Sequence, residues 1–262
     1  MSLPSAGSRK VEGLLAAVQF LTRIRIKSDL CSDARLLGKS TQWFPVVGFL
    51  IGLILWGCHK LLCIVLPQMA SDVLLILILT ALSGGIHVDG FTDAVEGFYA
   101  GRSREDILRI MRDTHIGSIG ALALFFVLAL KIAFLAALPQ AVKGKFLLIM
   151  PMVGRWIIVF LAATGKYARN DGGLGEAFFT HTSLKQFFRA SIFPLLVILL
   201  AFPVWGLPVL GIILALNYGF SLWIRARING LTGDTLGALN EVTEIAVLFL
   251  GAASIRLGLL SR

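Results

Sequence analysis

Seven apolar runs, each long enough to cross a bilayer, leave this chain few folds to adopt. They lie at about 44–66, 70–87, 117–138, 145–165, 188–205, 207–224 and 237–257. A helix crossing hydrocarbon needs roughly 17–25 such residues. The chain is 57% hydrophobic and only 15% charged, whereas soluble domains run at about 25% charged. The fold class is therefore all-α, a polytopic integral membrane bundle of about seven spans whose first partner is the lipid bilayer. Gly206 and Pro208 mark a tight turn between the fifth and sixth spans. The second span is the least sharply bounded, because it runs straight into an acidic motif. Ahead of the first span, Val11, Leu14, Leu15, Val18 and Leu21 recur at helical spacing within 11–26, with Glu12, Gln19 and Arg23 between them. That pattern predicts an amphipathic helix lying in the membrane interface. No internal repeat or low-complexity stretch divides the chain, so 1–262 reads as one domain.

The charge pattern orients the bundle. With the N-terminus inside, the loops 1–43, 88–116, 166–187 and 225–236 share one side and hold sixteen lysines and arginines, against five on the other. Excess Lys and Arg mark cytoplasmic loops, and every loop with a polar motif then falls on that side. The same rule accounts for the net charge of +9 without nucleic acid, which is excluded as a partner. The segment Met1 to Lys10 is polar and basic, and no signal-peptide cleavage site is expected there. Cys31, Cys58 and Cys63 lack metal-ligand spacing, and the last two read as packing residues within an apolar run.

The strongest functional signal follows the second run. Asp89, Asp93 and Glu96 stand in GGIHVDGFTDAVEG, residues 84–97. Carboxylates at a membrane boundary are costly and mark functional sites. In a helix their spacing places all three on one face, where they repel unless a cation lies between them. Mg²⁺ is the simplest such cation, and Mg²⁺ held by carboxylates commonly carries phosphate. The plainer reading is an exposed polar loop. The loop 88–116 holds six of the fifteen acids together with four arginines. Guanidinium groups fork onto phosphate oxygens, which nominates Arg102, Arg104 and Arg112; positive-inside decoration is the simpler account of the first two. Ser103 with Asp106 three residues on resembles a helix N-cap, so Glu105, Asp106 and Arg109 read as a solvated helix face. His87 precedes Asp89 by two positions and can orient a carboxylate or donate to a leaving phosphate.

Three further places carry polar signals. Arg155 lies deep in the fourth run, where a charge faces the protein interior or a wet cavity; it is nominated as a substrate contact. Lys166–Gly175 contains Arg169 and three glycines, a pattern that admits phosphate but also suits a plain loop. Thr232, Asp234, Asn240 and Glu241 enter the last run together. Asp234 has a simple reading as an N-cap, while the set as a whole suits metal, hydroxyl or base recognition.

These pieces resemble a known family. GGIHVDGFTD at 84–93, Glu96-Gly97, Arg102-Ser103-Arg104, Ile110-Met111-Arg112-Asp113 and TGDTLGA at 232–238 together resemble cobalamin synthase, the adenosylcobinamide-GDP ribazoletransferases. Phe20-Leu21-Thr22-Arg23 and Phe44-Pro45-Val46-Val47-Gly48 fit the same pattern. The resemblance runs in order along nearly the whole chain. Two positions depart from it: Glu96, where the family often has Asp, and His115, where Arg can occur. The resemblance implies that adenosylcobinamide-GDP and α-ribazole, or its 5′-phosphate, are joined with release of GMP. It implies a bacterial cytoplasmic membrane enzyme with its active-site loops facing the cytoplasm. Mg²⁺ would sit on Asp89, Asp93 and Glu96, and Arg102, Arg104, Arg112, Arg155, Arg169 and Thr232 would bind substrate. A base for the attacking hydroxyl would be Asp113, Asp234 or His87, and the residues leave that choice open. A homo-oligomer also stays open.

Two other functions fit the sequence less well. A CDP-alcohol phosphotransferase uses similar acids, but its Asp-Gly-x-x-Ala-Arg opening is absent, since Ala94-Val95 stands there. A cation transporter places its acids near the midplane on broken helices, whereas these cluster at one interface among arginines that repel cations.

Overall fold

The computed structural model describes residues 6–27, 30, 32–169 and 174–259. Twelve helices follow in order: α1 (Ala6–Leu21), α2 (Ala34–Ser40), α3 (Phe44–Val65), α4 (Gln68–Leu82), α5 (Ile86–Ala100), α6 (Arg104–Ile110), α7 (Ser118–Ala136), α8 (Gln140–Thr164), α9 (Leu174–His181), α10 (Leu184–Ala201), α11 (Gly206–Ile228) and α12 (Gly233–Arg256). A short 3₁₀ turn, Thr41–Trp43, joins α2 to α3. Among the described residues there is no β-strand, only one isolated bridge between Tyr167 and Leu231.

Among the described residues six helical segments are long and apolar enough to cross a membrane, and the bent pair α4–α5 has the length and composition of either a seventh, broken span or a re-entrant loop. The break corrects the expected second span of 70–87. Helix α4 stops at Leu82, and α5 sets off at 89° to it. The cause is Gly84 and Gly85, both in the left-handed region at φ 65° and 72°, which side chains avoid and glycine enters freely. Their N–H groups donate to the carbonyls of Ala81 and Thr80, closing the end of α4. At 15 residues α4 is about 22 Å long, shorter than a hydrocarbon core of about 30 Å. His87 therefore begins a new helix rather than ending a span. The acids of 89–96, read as a loop or a helical face, lie on a four-turn helix.

The N-terminal helix ends at Leu21, five residues earlier than its pattern implied. Ala16, Ala17 and Leu21 are fully buried, while Val11 is 58% exposed. Phe20 turns inward and meets Phe178 of α9 edge-on at 4.8 Å.

The core is organised around α8, most of whose residues from Phe146 to Ala162 are buried. A Cβ on Gly48 or Gly52 of α3 would meet the α8 backbone at 2.4–2.8 Å. The two backbones thus touch through small residues, the way helices pack in lipid. At one end of the bundle, Gln68 donates to the Ala136 carbonyl (2.8 Å), linking two turns. At the other, residues 22–27, the turns at 82–86 and 111–117, and the stretches 164–169 and 228–233 come together. Ala168 N–H donates to Leu231 (2.8 Å) and Leu231 N–H to Lys166 (2.9 Å). The described parts of the motif-bearing connections thus lie at one end.

Candidate active site

Helix α5 lies against the start of α12. A Cβ on Gly90 would stand 2.9–3.0 Å from the Asp234 backbone, so only glycine allows this approach. The approach brings Asp89 and Asp93 into the field of Asp234. Asp89, Asp234 and Glu96 all repel Asp93, and Arg169 is the cation acting on it. Arg169 donates to Asp234 Oδ2 at 2.8 Å, and the Thr232 hydroxyl donates to the same oxygen at 3.3 Å. Thr232, not Asp234, caps α12: its hydroxyl accepts from the Thr235 N–H, and the Thr235 hydroxyl accepts from the Thr232 N–H. The capping reading of Asp234 therefore does not hold, and its carboxylate is left for the site.

Glu96, nominated as a metal ligand, has backbone partners in this structure. The N–H groups of Gly117 and Gly120 donate to its Oε1 at 2.6 and 3.0 Å, so Glu96 caps the N-terminus of α7 from outside. The exposed donors and positive dipole end of a helix favour a carboxylate there. Any Cβ on Gly117 or Gly120 would sit 2.6 Å from that oxygen. Among the described residues no three His, Cys, Asp or Glu side chains converge closely enough to hold a metal ion. The three acids thus share a helix face without forming a closed set of ligands.

Two cavities open on either side of α5, and Asp89 lines both. The larger, 530 Å³, is walled by Asp89, Thr92, Asp93, Arg112, Asp113, Thr114 and His115. His115 contacts Asp113 through its ring (2.7 Å) and donates its N–H (3.0 Å); these bonds hold the Asp113 carboxyl below the usual carboxylate range. The smaller, 250 Å³, is walled by Phe20, Ile86, His87, Asp89, Ile158, Tyr167, Arg169, Phe178 and Asp234. Its wall is largely apolar and aromatic, with the charged groups Asp89, Arg169 and Asp234 among its lining.

The remaining nominated residues are placed otherwise. Arg102 is exposed. Arg104 donates through Nε to the Ile228 carbonyl (3.1 Å) and through Nη2 to the Ala168 carbonyl (2.6 Å). It fastens α6 to the end of α11 and to the stretch before α9, and its guanidinium holds backbone rather than facing either cavity beside α5. Ser103 caps α6 as its spacing implied, accepting from the Asp106 N–H. Asn170–Gly173, the glycine-bearing part of the third loop, lies outside the described residues.

Arg155 is buried and pairs with Glu244; it lines neither cavity beside α5. Its Nη2 also donates to His87 Nδ1 at 3.3 Å. Lys131 of α7 pairs with the same Glu244 and, at 2.5 Å, with Glu241. Asn240 donates to Glu244 (3.1 Å). Arg155, Asn240 and Glu241 thus belong to a closed ionic cluster beneath the site. Sequence reasoning missed Lys131 and Glu244. It also missed the pair Lys143–Asp72, buried between α8 and α4 at 2.6 Å. The available signal was a lone charge inside an otherwise apolar run.

The donor set facing the cavities is carboxylate oxygen with a surplus of negative charge. That chemistry fits a hard cation such as Mg²⁺, which commonly takes one or two protein carboxylates and completes its shell with water and substrate phosphate.

The family model of cobalamin-5-phosphate synthase matches residues 13–252. A protein of Desulforamulus reducens named adenosylcobinamide-GDP ribazoletransferase is 38% identical over 90% of this chain and 94% of its own length. Proteins of the same name from Caldanaerobacter subterraneus (34% identical, 90% of this chain and 96% of theirs) and Ectopseudomonas mendocina (35%, 91% and 98%) are also similar. No solved structure matches.

Proposed function

The chain belongs to the cobalamin-5-phosphate synthase family, the adenosylcobinamide-GDP ribazoletransferases, and on that premise we propose how its two cavities divide the reaction. The enzyme transfers ribazole in cobalamin synthesis. The finer reading is that a ribose hydroxyl of α-ribazole, or of its 5′-phosphate, attacks the corrinoid-side phosphorus of adenosylcobinamide-GDP. A new O–P bond forms, the P–O bond to the bridging oxygen breaks, and GMP leaves. The hydroxyl proton passes to a protein base.

The observation that carries this reading is the position of Asp89 between two cavities of different chemistry. The smaller, with Phe20, Tyr167 and Phe178, suits the flat apolar base of the acceptor, since aromatic faces stack on such rings. The larger, with Arg112, Asp113, Thr114 and His115, suits the pyrophosphate and the departing GMP, because Arg binds phosphate in fork geometry. Asp89 and Asp93 would hold Mg²⁺, which when bound neutralises charge building on the phosphates. Asp234 is our choice of base. It shares the acceptor's cavity with Asp89, while His87 Nδ1 is taken up by Arg155 and Asp113 lines the donor's side. Arg169, paired to Asp234, keeps that carboxylate oriented. Positioning and electrostatics of this kind supply most of the catalysis in phosphoryl transfer.

The test is GMP release by purified protein in lipid, supplied with adenosylcobinamide-GDP and α-ribazole 5′-phosphate. Release that needs Mg²⁺ and both substrates is expected; turnover of CDP-alcohols, or none by folded protein, refutes the reading. We further propose that the loops at this end face the cytoplasm of the bacterial inner membrane. Labelling of Ser103→Cys by an impermeant thiol reagent applied to intact cells would overturn that orientation.

A further inference from the structure

His87 stands between the buried ionic cluster and the smaller cavity. Its Nδ1 lies 3.3 Å from Arg155 Nη2, and the residue lines the cavity with Phe20, Ile158, Tyr167 and Phe178. The backbone is fixed as well, since a Cβ on Gly237 of α12 would stand 3.2 Å from the His87 Cα and carbonyl oxygen. Only 5% of the residue is exposed. A guanidinium carries N–H donors and no acceptor. The Nδ1 that faces it is therefore the ring nitrogen without a hydrogen, and the ring proton sits on Nε2. Arg155 is itself held, by Glu244, which Lys131 holds in turn. Among the described residues Nε2 has no protein partner, yet it is not one of the unpartnered atoms sealed in the interior. It thus opens on the cavity that His87 lines.

An oriented N–H donor among aromatic side chains asks for a flat ring with an in-plane lone pair at its edge. Arg169 and Asp234, in the same cavity, are bonded to each other, which leaves the donor of His87 for the ligand. The base of α-ribazole is a benzimidazole. One of its ring nitrogens is joined to ribose, and the other keeps a lone pair that can only accept. We propose that His87 Nε2–H donates to this unsubstituted ring nitrogen, so that the cavity selects bases carrying such a lone pair over isosteric rings without one. Arg155, which reaches no substrate, is a positioning residue: it sets the tautomer and the ring orientation of His87. The inference rests on the division of cavities proposed above and names the group that reads the acceptor's base.

The experiment compares kcat/KM for α-ribazole 5′-phosphate with that for its indole counterpart, in which C–H replaces the unsubstituted ring nitrogen. Wild type, His87→Asn and His87→Gln are assayed in nanodiscs by GMP release, and the ratio of the two acceptors is insensitive to a general loss of folded enzyme. Wild type is expected to favour the ribazole by about tenfold or more, because the indole leaves a buried donor unmade. His87→Asn offers Arg155 an oxygen near the place of Nδ1 but no donor at the place of Nε2, so its ratio should fall close to one. His87→Gln brings an amide N–H near the place of Nε2 and should restore part of the preference. Histidine ¹⁵N NMR, with the His87 signal identified by its loss in His87→Gln, should find the ring proton on Nε2; in Arg155→Lys that preference for Nε2 should weaken. A wild-type ratio near one, an undiminished ratio in His87→Asn, or a proton on Nδ1 in wild type overturns the inference. No GMP release by folded wild type with α-ribazole 5′-phosphate refutes the underlying reaction, and the inference with it.

Discussion

Helix α12 contributes to two groups of charges, and the two groups are built in opposite ways. Below, Lys131, Arg155, Glu241 and Glu244 match two cations with two anions, all buried and paired within the bundle. Above, Asp89, Asp93, Asp113 and Asp234 line open cavities that hold two arginines, Arg112 and Arg169, and Glu96 lies on the same helix as the first two. A balanced buried cluster has no net charge left over; its charges pair with one another and fix how α7, α8 and α12 meet. An unbalanced, accessible one is left needing positive charge, and that need is its chemistry. Charge alone in a membrane helix therefore does not mark a site. Accessible charge in excess of its internal partners does.

The contrast is tested most severely at the open cluster. Asp89→Ala or Asp93→Ala is expected to lower GMP release by about 10²–10³-fold, the scale of losing one preorganised charge-stabilising group. Thermal unfolding in detergent should be unaltered, because neither side chain makes an internal ion pair among the described residues. Near-normal turnover at saturating Mg²⁺ would remove the metal assignment.

The closed cluster should answer in the opposite sense. Glu244→Ala leaves Arg155 and Lys131 buried beside an empty place, and removing one partner of a buried pair costs about 3–5 kcal/mol. Loss of folded protein is expected, read as a lower unfolding midpoint or failure to purify. Lys143→Met, which strands Asp72 at a distance from the acids, should behave alike, with turnover per folded molecule preserved. If Glu244→Ala instead folds as well as wild type and loses only turnover, the division between structural and chemical charge fails.

The sequence disclosed these regions unequally, for physical reasons. Span number followed from hydropathy, which is additive along the chain and needs no knowledge of neighbours. The bend at Gly84-Gly85 was hidden because Ile86 and Val88 continue the apolar run past it. Spacing put Asp89, Asp93 and Glu96 on one face, as found, but spacing does not say which neighbour takes each carboxylate. Arg104 reads in the sequence as a phosphate contact or as positive-inside decoration, and spacing cannot show that two carbonyls distant in sequence hold its guanidinium. Lys131 and Glu244 sit 113 residues apart, so each alone looked like a blemish in an apolar run. Read together, as opposite charges in two spans, they would have foretold the pair.

Glu96 is where the two kinds of charge meet, and it gives the finest test. It lies on the acidic face of α5, yet its Oε1 is occupied by the first N–H groups of α7. Glu96→Gln keeps an acceptor oxygen for that cap but removes the charge. If Glu96 serves α7, Glu96→Gln should cost little in turnover, and Gly117→Ala, whose Cβ would sit 2.6 Å from Oε1, should lower stability by about 0.5–2 kcal/mol, as losing a helix cap does. If Glu96 holds metal, the order reverses: Glu96→Gln falls with Asp89→Ala in GMP release, and the apparent Mg²⁺ affinity drops with it. Titrating Mg²⁺ for both variants separates the outcomes, because a broken cap shifts the unfolding midpoint and leaves the Mg²⁺ dependence of the remaining folded enzyme where it was.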